Sequence, residues 1–492
     1  MPQNVILGVD IGTSACKAVA VDAEGNILAS SHTLYNFLTP RLGWFEIDPN
    51  VFINALITVF HDILRYIPSN AIEGISIDGI SNSPILVDRD LKVLRPCILW
   101  LDQRGAEYIS EILRTLDAEG VTPTLPLSSL ITLIKLLWVK ENETVVWRDA
   151  SYILQPKDYV RTWLTGCVAT DPSDASVTMM FDGERFRWAD YVERLFGIDL
   201  KKLPEIVPSH EIAGYINRWA AEKTGLLEGT PVITGCADGV ADALAAGLIE
   251  EYDSLIRLGT AGVFSTLLDK YVPDKERYYI FVHAMPGKWV IQRMFPFGVP
   301  HRWFFENLYS EELEHARSLG IDPYMYVEDN LPNVIGELGD LKFIPNISFC
   351  EEPSHFSGAF IGIKNVHTKA HLALALLQGL ACATKEALDV ICGRLAFTVN
   401  KVKLIGGGAK SKFMRKMIAT LLNTKIEVLK HHDASIGAAI LAGIGVGVYR
   451  SFREAFDKIV RIDYTMEPDR SLQDELFRAY ERYIEVRRRL MV

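Results

Sequence analysis

One aspartate of the sequence stands where a base that activates a hydroxyl group would stand. Asp238 follows the apolar segment 231–234, which predicts a strand, and precedes an alanine-rich stretch that predicts a helix. A carboxylate between a strand and a helix lies at the carboxyl edge of a sheet, where α/β proteins usually bind ligands. There it could accept a proton from a substrate hydroxyl during phosphoryl transfer.

Asp238 also has a structural interpretation, because aspartate is a common helix N-cap. By its own chemistry the capping role is favoured. Asp242, one helical turn further on, is a rival for the catalytic role. The residues around Asp238 therefore leave its role open.

A second aspartate is followed by a turn of small residues that suits a phosphate and a metal ion. Asp10 ends an apolar segment, and a carboxylate at such a position can hold a hydrated Mg²⁺. Gly12 allows close approach of a ligand to the backbone. Hydroxyls, amides and one positive charge follow, from Thr13, Ser14 and Lys17. An ordinary hairpin turn would need no ligand, so both interpretations stay open.

Two further glycine turns occur in the second half of the chain. Gly259 and Thr260 follow an apolar segment in the same way as Gly12 and Thr13. Two such turns could hold a triphosphate from both sides, although either one alone is more often only a turn.

The other turn contains three successive glycines between a predicted strand and a predicted helix. Gly407 and Gly408 precede Ser411, and a helix N-terminus with bare amides suits an anion or the edge of a nucleotide. The segment is not a Walker A loop, because Lys410 follows an alanine, and it is not a GxGxxG motif. A tight turn without a ligand is the more common outcome for a lone triple glycine.

The elements that position these residues predict an α/β protein with two related halves. A strand, a glycine-threonine turn and a second strand occur at 5–21 and again at 254–268. Such a repeat predicts two domains of similar topology, with bounds of 1–250 and 251–492. Helical periodicity is clear in three segments: 371–390, 414–422 and 471–489.

Composition excludes several classes of protein. Hydrophobic residues make up 49% and charged residues 23% of the 492 residues, which is typical of a soluble globular chain. A formal net charge of −11 argues against a dominant nucleic-acid surface. Seven scattered cysteines without a CxxC pair favour reduced thiols and a cytoplasmic location. We expect neither a signal peptide nor a membrane-spanning helix.

The adjacent residues His431, His432 and Asp433 could suggest a metal site. Adjacent histidines rarely ligate one ion together, and no other ligand is spaced to help them. We therefore expect a solvated loop at this position.

Eight motifs in this order resemble those of the FGGY carbohydrate kinases of the actin/hexokinase/Hsp70-like superfamily, over nearly the whole chain. The motifs lie at 8–14, 43–49, 98–104, 156–166, 170–176, 235–238, 406–411 and 434–439. The segment 156–166 is close to the KDYLRYRLTG stretch typical of xylulokinase-like members.

The resemblance implies two RNase H-like (actin-like ATPase) domains around a deep cleft, with sugar mainly on the first domain and Mg·ATP mainly on the second. It implies transfer of the γ-phosphate of ATP to a sugar hydroxyl, with Asp238 as the base and Asp10 as the partner of hydrated Mg²⁺. The nucleotide contacts that we expect are Gly12, Thr13, Ser14, Lys17, Gly259, Thr260, Gly407, Gly408 and Ser411. The substrate contacts that we expect are Ser81, Asn82, Trp100, Asp102 and Asp238. A homodimer is also carried over from the family.

Two departures from the family pattern concern the substrate. Xylulokinases usually carry a Gln-Met-His-Gly loop where this chain reads Gly-Ile-Ser-Asn-Ser-Pro at 79–84. The segment 350–354 replaces a Gly-Glu-Arg-Thr-Pro stretch. We expect a kinase of a ketose such as xylulose, with ribulose, gluconate, glycerol or another polyol as alternatives. A non-catalytic ATP-binding member of the superfamily is the rival class.

Overall fold

The computed structural model describes residues 4–331, 335–346 and 358–490. The strands within these ranges are β1 Val5–Ile11, β2 Ala15–Val21, β3 Ile27–Leu34, β4 Glu46–Ile47, β5 Ile72–Gly79, β6 Ile85–Val87, β7 Cys97–Ile98, β8 Tyr152–Leu154, β9 Ala169–Thr170, β10 Phe181–Asp182, β11 Arg187–Trp188, β12 Glu205–Ile206, β13 Ile212–Tyr215, β14 Pro231–Ala237, β15 Ser254–Leu258, β16 Ala261–Leu268, β17 Tyr279–Val282, β18 Trp289–Pro296, β19 Lys342–Ile344, β20 Ala359–Ile361, β21 Lys401–Ile405, β22 Lys425–Leu429 and β23 Ile462–Met466.

The α-helices within the same ranges are α1 Asn50–Leu64, α2 Ile109–Ala118, α3 Thr132–Asn142, α4 Thr144–Asp149, α5 Pro156–Thr165, α6 Pro172–Ser176, α7 Tyr191–Phe196, α8 Arg218–Thr224, α9 Asp238–Ala245, α10 Gly298–Leu308, α11 Ser310–Ser318, α12 Pro323–Asp329, α13 Lys369–Leu395, α14 Lys412–Leu422, α15 Ala434–Gly445, α16 Phe452–Ile459 and α17 Gln473–Leu490. Helices α13, α14 and α17 confirm the three segments of helical periodicity. None of the described helices combines the length and the apolar composition that crossing a bilayer requires.

The first sheet has its most apolar strand in its interior. Its order is β13-β14-β5-β1-β2-β3, and every residue of β1 is buried. Strand β3 lies at the edge, where half-buried residues alternate with exposed ones. A strand with neighbours on both sides and cover on both faces needs a continuous apolar run, whereas an edge strand keeps a polar face.

The strand directions of this sheet bring several strand ends to one edge. Strand β1 pairs antiparallel with β2 and parallel with β5, and β5 pairs parallel with β14. Parallel strands end on the same side of a sheet, and α/β proteins bind ligands at that side. The pairing therefore gathers the residues that follow β1, β5 and β14.

The second sheet repeats this plan. Its order is β17-β18-β16-β15-β21-β22-β23, and β15 pairs antiparallel with β16 and parallel with β21, as β1 does with β2 and β5. The next pairings, β21 with β22 and β22 with β23, are again parallel and antiparallel. The predicted α/β class and the predicted internal repeat are confirmed.

The chain folds into two compact units. The first unit consists of Met1–Glu251, Leu267–Ile291 and His431–Arg461, and the second of Tyr252–Thr266, Gln292–Lys430 and Ile462–Val492. The first unit thus takes segments from both halves of the sequence, and the second unit takes its three segments from the second half alone. The predicted domains 1–250 and 251–492 are contiguous. Helices α15 and α16 belong to the first unit.

Helix α15 packs unusually close to β1 because both elements carry small residues at the contact. A Cβ atom placed on Gly8 of β1 would lie 1.8 Å from the carbonyl oxygen of Ser435. A Cβ atom on Gly437 of α15 would lie 2.0 Å from the carbonyl oxygen of Ala241 in α9. No side chain fits at such distances, so glycine at both positions allows α15 to cover β1 and α9.

Candidate active site

The turn between β1 and β2 is held in place by two aromatic side chains. The N–H of Gly12 donates to the carbonyl oxygen of Ala15 at 2.9 Å, and the hydroxyl of Tyr35 donates to the carbonyl oxygen of Gly12 at 2.6 Å. The indole Nε1 of Trp100 donates to Thr13 Oγ1 at 3.0 Å. The predicted substrate residue Trp100 therefore contacts the predicted phosphate residue Thr13.

Lys17, which follows this turn, is held by two carboxylates. Its Nζ atom lies 2.7 Å from Asp433 Oδ2 and 3.6 Å from Asp10 Oδ2. Asp433 also caps α15, because its Oδ1 atom accepts the N–H of Ser435 at 3.1 Å. Burial alone would raise the pKa of Asp433, but Lys17 and Ser435 hold it below its usual range. The segment 431–433 is a loop, as predicted, and the contact of Asp433 with Lys17 was not foreseen.

Asp10 lies beside a carboxylate that none of the motifs includes. In the parallel register of β1 and β5, Asp10 is the neighbour of Asp78, and Cys236 of β14 comes next in the row. Asp78 is fully buried, and neither of its carboxylate oxygens has a hydrogen-bond partner among the described residues. Burial, with the charges of Asp10 and Asp238, raises the pKa of Asp78 well above its usual range. The available sequence signal was an aspartate directly after the alternating apolar residues Ile75 and Ile77 of a predicted strand.

The same crowding affects Asp10. Burial raises the pKa of Asp10 to about 7 against the opposing charge of Lys17, and Asp433, Asp238 and Asp242 raise it further. The carboxylate oxygens of Asp78, which lack partners among the described residues, are hard ligands of the kind that suits Mg²⁺. No three His, Cys, Asp or Glu side chains of the described ranges are grouped to bind a metal directly. The residues present therefore fit an ion that keeps much of its water shell.

Asp238 begins α9 directly after Ala237, the last residue of β14. Ala237 takes the N-cap position, so the carboxylate of Asp238 lies in the first helical turn, where the helix dipole favours negative charge. One of its oxygens accepts the N–H of Gly239 at 2.7 Å. Gly235 lets β14 approach β5, because a Cβ atom there would lie 1.8 Å from the carbonyl oxygen of Ile77.

Exposure separates Asp238 from Asp10, Asp78 and Asp242. Asp10, Asp78 and Asp242 are buried, at 7%, 0% and 6% exposure, whereas Asp238 is half-buried. A carboxylate that receives a proton from a substrate needs access to that substrate. Among these four, Asp238 is the one with most access.

Hydrogen bonds orient the polar side chains of Ser81 and Asn82 in the loop after β5. Ser81 Oγ donates to Asp174 Oδ1 at 2.5 Å, and Asn82 Oδ1 accepts both the N–H and the hydroxyl of Thr132 at 2.9 Å. Because a backbone N–H can only donate, the Asn82 atom that it meets must be the oxygen. The amide Nδ2 of Asn82 is therefore the group left to donate to a ligand.

Asp102 is held by hydrogen bonds from its own segment and from the motif at 43–49. It is fully buried, its Oδ2 atom accepts the N–H of Phe45 and Nη2 of Arg104 at 2.6 Å each, and its Oδ1 atom accepts N and Nε of Arg104 at 2.9 Å. Arg104 also donates to Glu46 Oε1 at 2.6 Å. These bonds join the motif at 43–49 to the motif at 98–104. The predicted contact of Asp102 with substrate stays a prediction.

A fully buried lysine holds three aspartates behind the loop 79–84. Lys157 Nζ lies 2.6 Å from Asp158, 2.9 Å from Asp171 and 3.0 Å from Asp174, and all four side chains are inaccessible to solvent. Burial alone would lower the pKa of Lys157, but the three carboxylates raise it above its usual value. The motifs contained these residues, but their mutual contact is tertiary.

This lysine cluster connects two parts of the candidate site. Asp174 accepts the hydrogen bond from Ser81 in the loop after β5. Ser173 Oγ donates to Asp171 at 2.6 Å and accepts the N–H of Ala237, the residue before the candidate base, at 2.8 Å. The cluster therefore orients both the loop at 79–84 and the end of β14.

In the second unit, the turn between β15 and β16 resembles the first turn in its local geometry. The N–H of Gly259 donates to the carbonyl oxygen of Ala261, two residues on, at 3.2 Å, whereas Gly12 donates to Ala15, three residues on. The carbonyl oxygen of Thr260 accepts the N–H of Val299 at 3.1 Å, which ties the turn to α10. The side chain of Thr260 is exposed.

The triple-glycine turn shows one open and one closed glycine. A Cβ atom placed on Gly407 would meet nothing within 4 Å, whereas on Gly408 it would lie 2.4 Å from the ring of Phe297. Gly406 has φ of +91°, in the region that favours glycine. The open side of Gly407 is therefore where a ligand can approach the backbone.

Ser411 uses its hydroxyl inside the protein. It is 1% exposed, it accepts the N–H of Met414 at 3.0 Å as the N-cap of α14, and it donates to Glu328. The other carboxylate oxygen of Glu328 lies 3.0 Å from His301 Nε2. The geometry indicates that Ser411 positions the turn, and its predicted contact with nucleotide stays a prediction.

The predicted site residues thus form two groups, one in each unit. The first unit holds Asp10, Gly12, Thr13, Ser14, Lys17, Ser81, Asn82, Trp100, Asp102 and Asp238. The second unit holds Gly259, Thr260, Gly407, Gly408 and Ser411. The segment 350–354, which departs from the family pattern, lies outside the described residues. Residues that we did not foresee as part of the first group are Asp78, Lys157 and Asp433.

Comparison with protein families finds two matches in the order of the chain. Residues 5–245 match the model of the FGGY family of carbohydrate kinases, N-terminal domain. Residues 308–446 match the model of the C-terminal domain of the same family.

Comparison with individual proteins finds similarity over nearly the full length. The chain is 30% identical over 499 aligned residues to a xylulose kinase of Staphylococcus epidermidis, covering 99% of this chain and 96% of that protein. It is 28% identical over 465 residues to a gluconokinase of Bacillus subtilis, covering 93% and 90%. A crystal structure titled as a xyloylose kinase from Brucella ovis is similar with a TM-score of 0.87, 27% identity and 98% coverage of both chains.

Replacing Lys157 by methionine tests the buried cluster. The variant leaves the buried Asp171 and Asp174 without this cation, whereas Asp158 keeps its ion pair with Arg161. We therefore expect the free energy of unfolding to fall by about 3–5 kcal/mol. Urea denaturation followed by tryptophan fluorescence measures the change. The control is Arg148→Met, which removes an exposed pair with Asp149 and should alter stability by less than about 0.5 kcal/mol. A near-neutral Lys157→Met would contradict the role of the cluster.

Proposed function

The chain belongs to the FGGY family of carbohydrate kinases, and from this premise we propose that it phosphorylates a ketose, with xylulose as the first candidate. It is a phosphotransferase that uses ATP and a sugar hydroxyl as acceptor. Several full-length relatives are named xylulose kinases, which supports this substrate. The name of the Bacillus subtilis relative gives gluconate as the alternative.

The observation that carries the proposal is the place of Asp238 at the end of β14. Its half-buried carboxylate stands at the start of α9, beside the buried carboxylates Asp10, Asp78 and Asp242. We propose that Asp238 accepts the proton of the attacking sugar hydroxyl. General-base assistance of this kind contributes about 10²–10⁴-fold to a rate.

The turns supply the phosphate contacts in our proposal. Backbone N–H groups and hydroxyls at Thr13, Ser14 and Thr260 bind phosphate oxygens, and Gly407 lies against the nucleotide. Asp10 would hold the hydrated metal ion, and Lys17, oriented by Asp433, would contact a phosphate oxygen. When bound, Mg²⁺ neutralises negative charge that develops on the phosphate oxygens. By binding both substrates, the protein would hold the γ-phosphate of ATP next to the sugar hydroxyl. It would also keep water away from the reacting groups.

Sugar recognition in our proposal depends on the loop after β5. Asn82 Nδ2 donates to a substrate oxygen, since its Oδ1 atom is engaged by Thr132. Ser81 and Asp102 orient neighbouring groups through Asp174 and Arg104. Because this loop lacks the Met-His pair of xylulokinases, another ketose or a polyol stays an alternative. A cytoplasmic location and a homodimer complete the proposal.

Asp238→Asn tests the base. The amide keeps the shape of the side chain but cannot accept the proton, so we expect kcat to fall by about 10³-fold or more. The dissociation constant of ADP, measured by calorimetry, should change by less than about twofold, because the base does not bind nucleotide. Asp242→Asn is the matched control, one helical turn away. Normal turnover of Asp238→Asn together with loss of activity in Asp242→Asn would assign the base to Asp242.

A substrate screen tests the reaction class and the acceptor together. Coupled measurement of ADP release with pentuloses, hexuloses, sugar acids and polyols should give the highest kcat/KM with a ketose. A higher kcat/KM with gluconate or glycerol would move the assignment to that substrate. A non-catalytic ATP-binding protein would release no additional ADP with any compound, and that result would reject the proposed activity.

Gly407→Ala and Gly408→Ala separate nucleotide contact from folding. A methyl group on Gly407 meets no protein atom, so the variant should keep its stability, whereas its KM for ATP should rise about tenfold or more because the nucleotide is displaced. A methyl group on Gly408 collides with Phe297, and we expect a loss of about 1–3 kcal/mol of stability. Unchanged KM for ATP in Gly407→Ala would place the nucleotide elsewhere.

A further inference from the structure

Asp78 is a buried carboxylate of the first unit without a hydrogen-bond partner among the described residues. It lies in the interior of the first sheet with 0% exposure, and the mechanism proposed above does not use it. Both of its carboxylate oxygens lack a hydrogen-bond partner among the described residues, and so does Ser76 Oγ, which lies two residues earlier on the same face of β5. Buried polar groups are normally paired, so an unpaired carboxylate calls for a ligand that the chain itself does not supply.

The place of Asp78 limits what that ligand is. Its register neighbour is Asp10 on one side and Cys236 on the other, so an aspartate and a thiol flank it. Lys17, which lies across from Asp10 on β2, is already shared between Asp10 and Asp433. A second negative charge beside Asp10 repels an anion, whereas it attracts a small hard cation.

We propose that Asp78 and Asp10 together bind a divalent cation, with Mg²⁺ as the physiological ion, and that they do so before nucleotide arrives. Adjacent strands lie about 4.8 Å apart, so two carboxylates in register on one face can share one ion or its water shell. Mg²⁺ is usually held by one or two carboxylates and several waters, which explains why no group of three ligand side chains is needed. Asp78 thus raises the affinity of the site for the cation alone.

A stability cost supports this role. Two neighbouring buried carboxylates destabilise the cation-free fold, and a fold keeps such a feature where function needs it. An isosteric Asp78→Asn removes one charge while keeping the volume. Its Tm should therefore be higher than that of the wild type in EDTA, and the wild type should gain more than the variant when Mg²⁺ is added.

The proposal rests on the role of Asp10 at the metal, but its test needs neither sugar nor ATP. Nucleotide-free protein is titrated with Mn²⁺ while the electron paramagnetic resonance signal of the free ion is recorded. We expect one tight site in the wild type and an affinity at least about tenfold weaker in Asp78→Asn and in Asp10→Asn. Competition by Mg²⁺ should release the bound Mn²⁺.

Asp242→Asn is the matched control, because it removes a buried negative charge of the same group from α9 rather than from the sheet. Asp242 is not in register with Asp10 and Asp78, so its replacement should weaken Mn²⁺ binding by clearly less than the loss of about tenfold that we expect for the two ligands. Equal weakening in Asp242→Asn and Asp78→Asn would mean that net charge, not ligation, is measured, and would overturn the proposal.

Two further results of the titration would overturn the proposal. One is the absence of Mn²⁺ binding to the wild type. The other is unchanged binding to Asp78→Asn, as expected of a carboxyl group that stays protonated. A lower Tm of Asp78→Asn in EDTA would show that Asp78 stabilises the protein without a cation, which also contradicts the proposal. Sugar phosphorylation without nucleotide-free Mn²⁺ binding would reject this inference and leave the proposed function intact.

Discussion

Parallel pairing of β1, β5 and β14 is the constraint on which the candidate site depends. It sets Asp10 beside Asp78 and ends β14 one residue before Asp238, so three carboxylates from distant parts of the chain meet at one edge of the sheet. Like charges that are buried together repel each other and raise each other's pKa. Lys17 offsets part of this charge, because it contacts Asp10 and is itself held by Asp433. The remaining negative charge suits a site that receives a metal ion and its phosphates.

The surroundings of this edge are arranged to keep it rigid. Helix α15 lies directly on β1 because Gly8 and Gly437 present no side chain at the contact, and it carries Asp433 at its N-terminus. On the other side, the buried Lys157 holds three aspartates, whose neighbours contact the loop after β5 and the end of β14. Buried ion pairs contribute little net stability, but they penalise alternative arrangements of the groups that they join. We infer that this cluster defines where Asp238 and Asn82 stand.

The two units share a strand order but differ in the chemistry at the equivalent turn. Two residues before its glycine-threonine pair, the first unit has Asp10 and the second has Arg257. The first turn is therefore beside the carboxylate for which we propose metal binding, whereas the second offers backbone amides and the exposed hydroxyl of Thr260. The two units therefore share their strand order but not the charged residue before the turn. This is expected, because the hydrophobic pattern sets a fold whereas a few side chains set its function.

Local pattern in the sequence determined the α/β class, the repeat, the principal helices and the turns that carry Asp10, Gly259 and Gly407. These follow from apolar periodicity and from glycine at positions of close approach, which are properties of short segments. Only the tertiary structure showed that Asp78 is a neighbour of Asp10 without a hydrogen-bond partner among the described residues, and that Asp433 holds Lys17. It also showed that the polar atoms of Ser411 and Asp102 are hydrogen-bonded within the protein. Such contacts join residues separated by tens to hundreds of positions, and no local pattern encodes the register that brings them together. Asp238 was identifiable from the sequence by its place between a strand and a helix. That it is more exposed than Asp10, Asp78 and Asp242 depends on how the chain buries each side chain, and only the fold decides this.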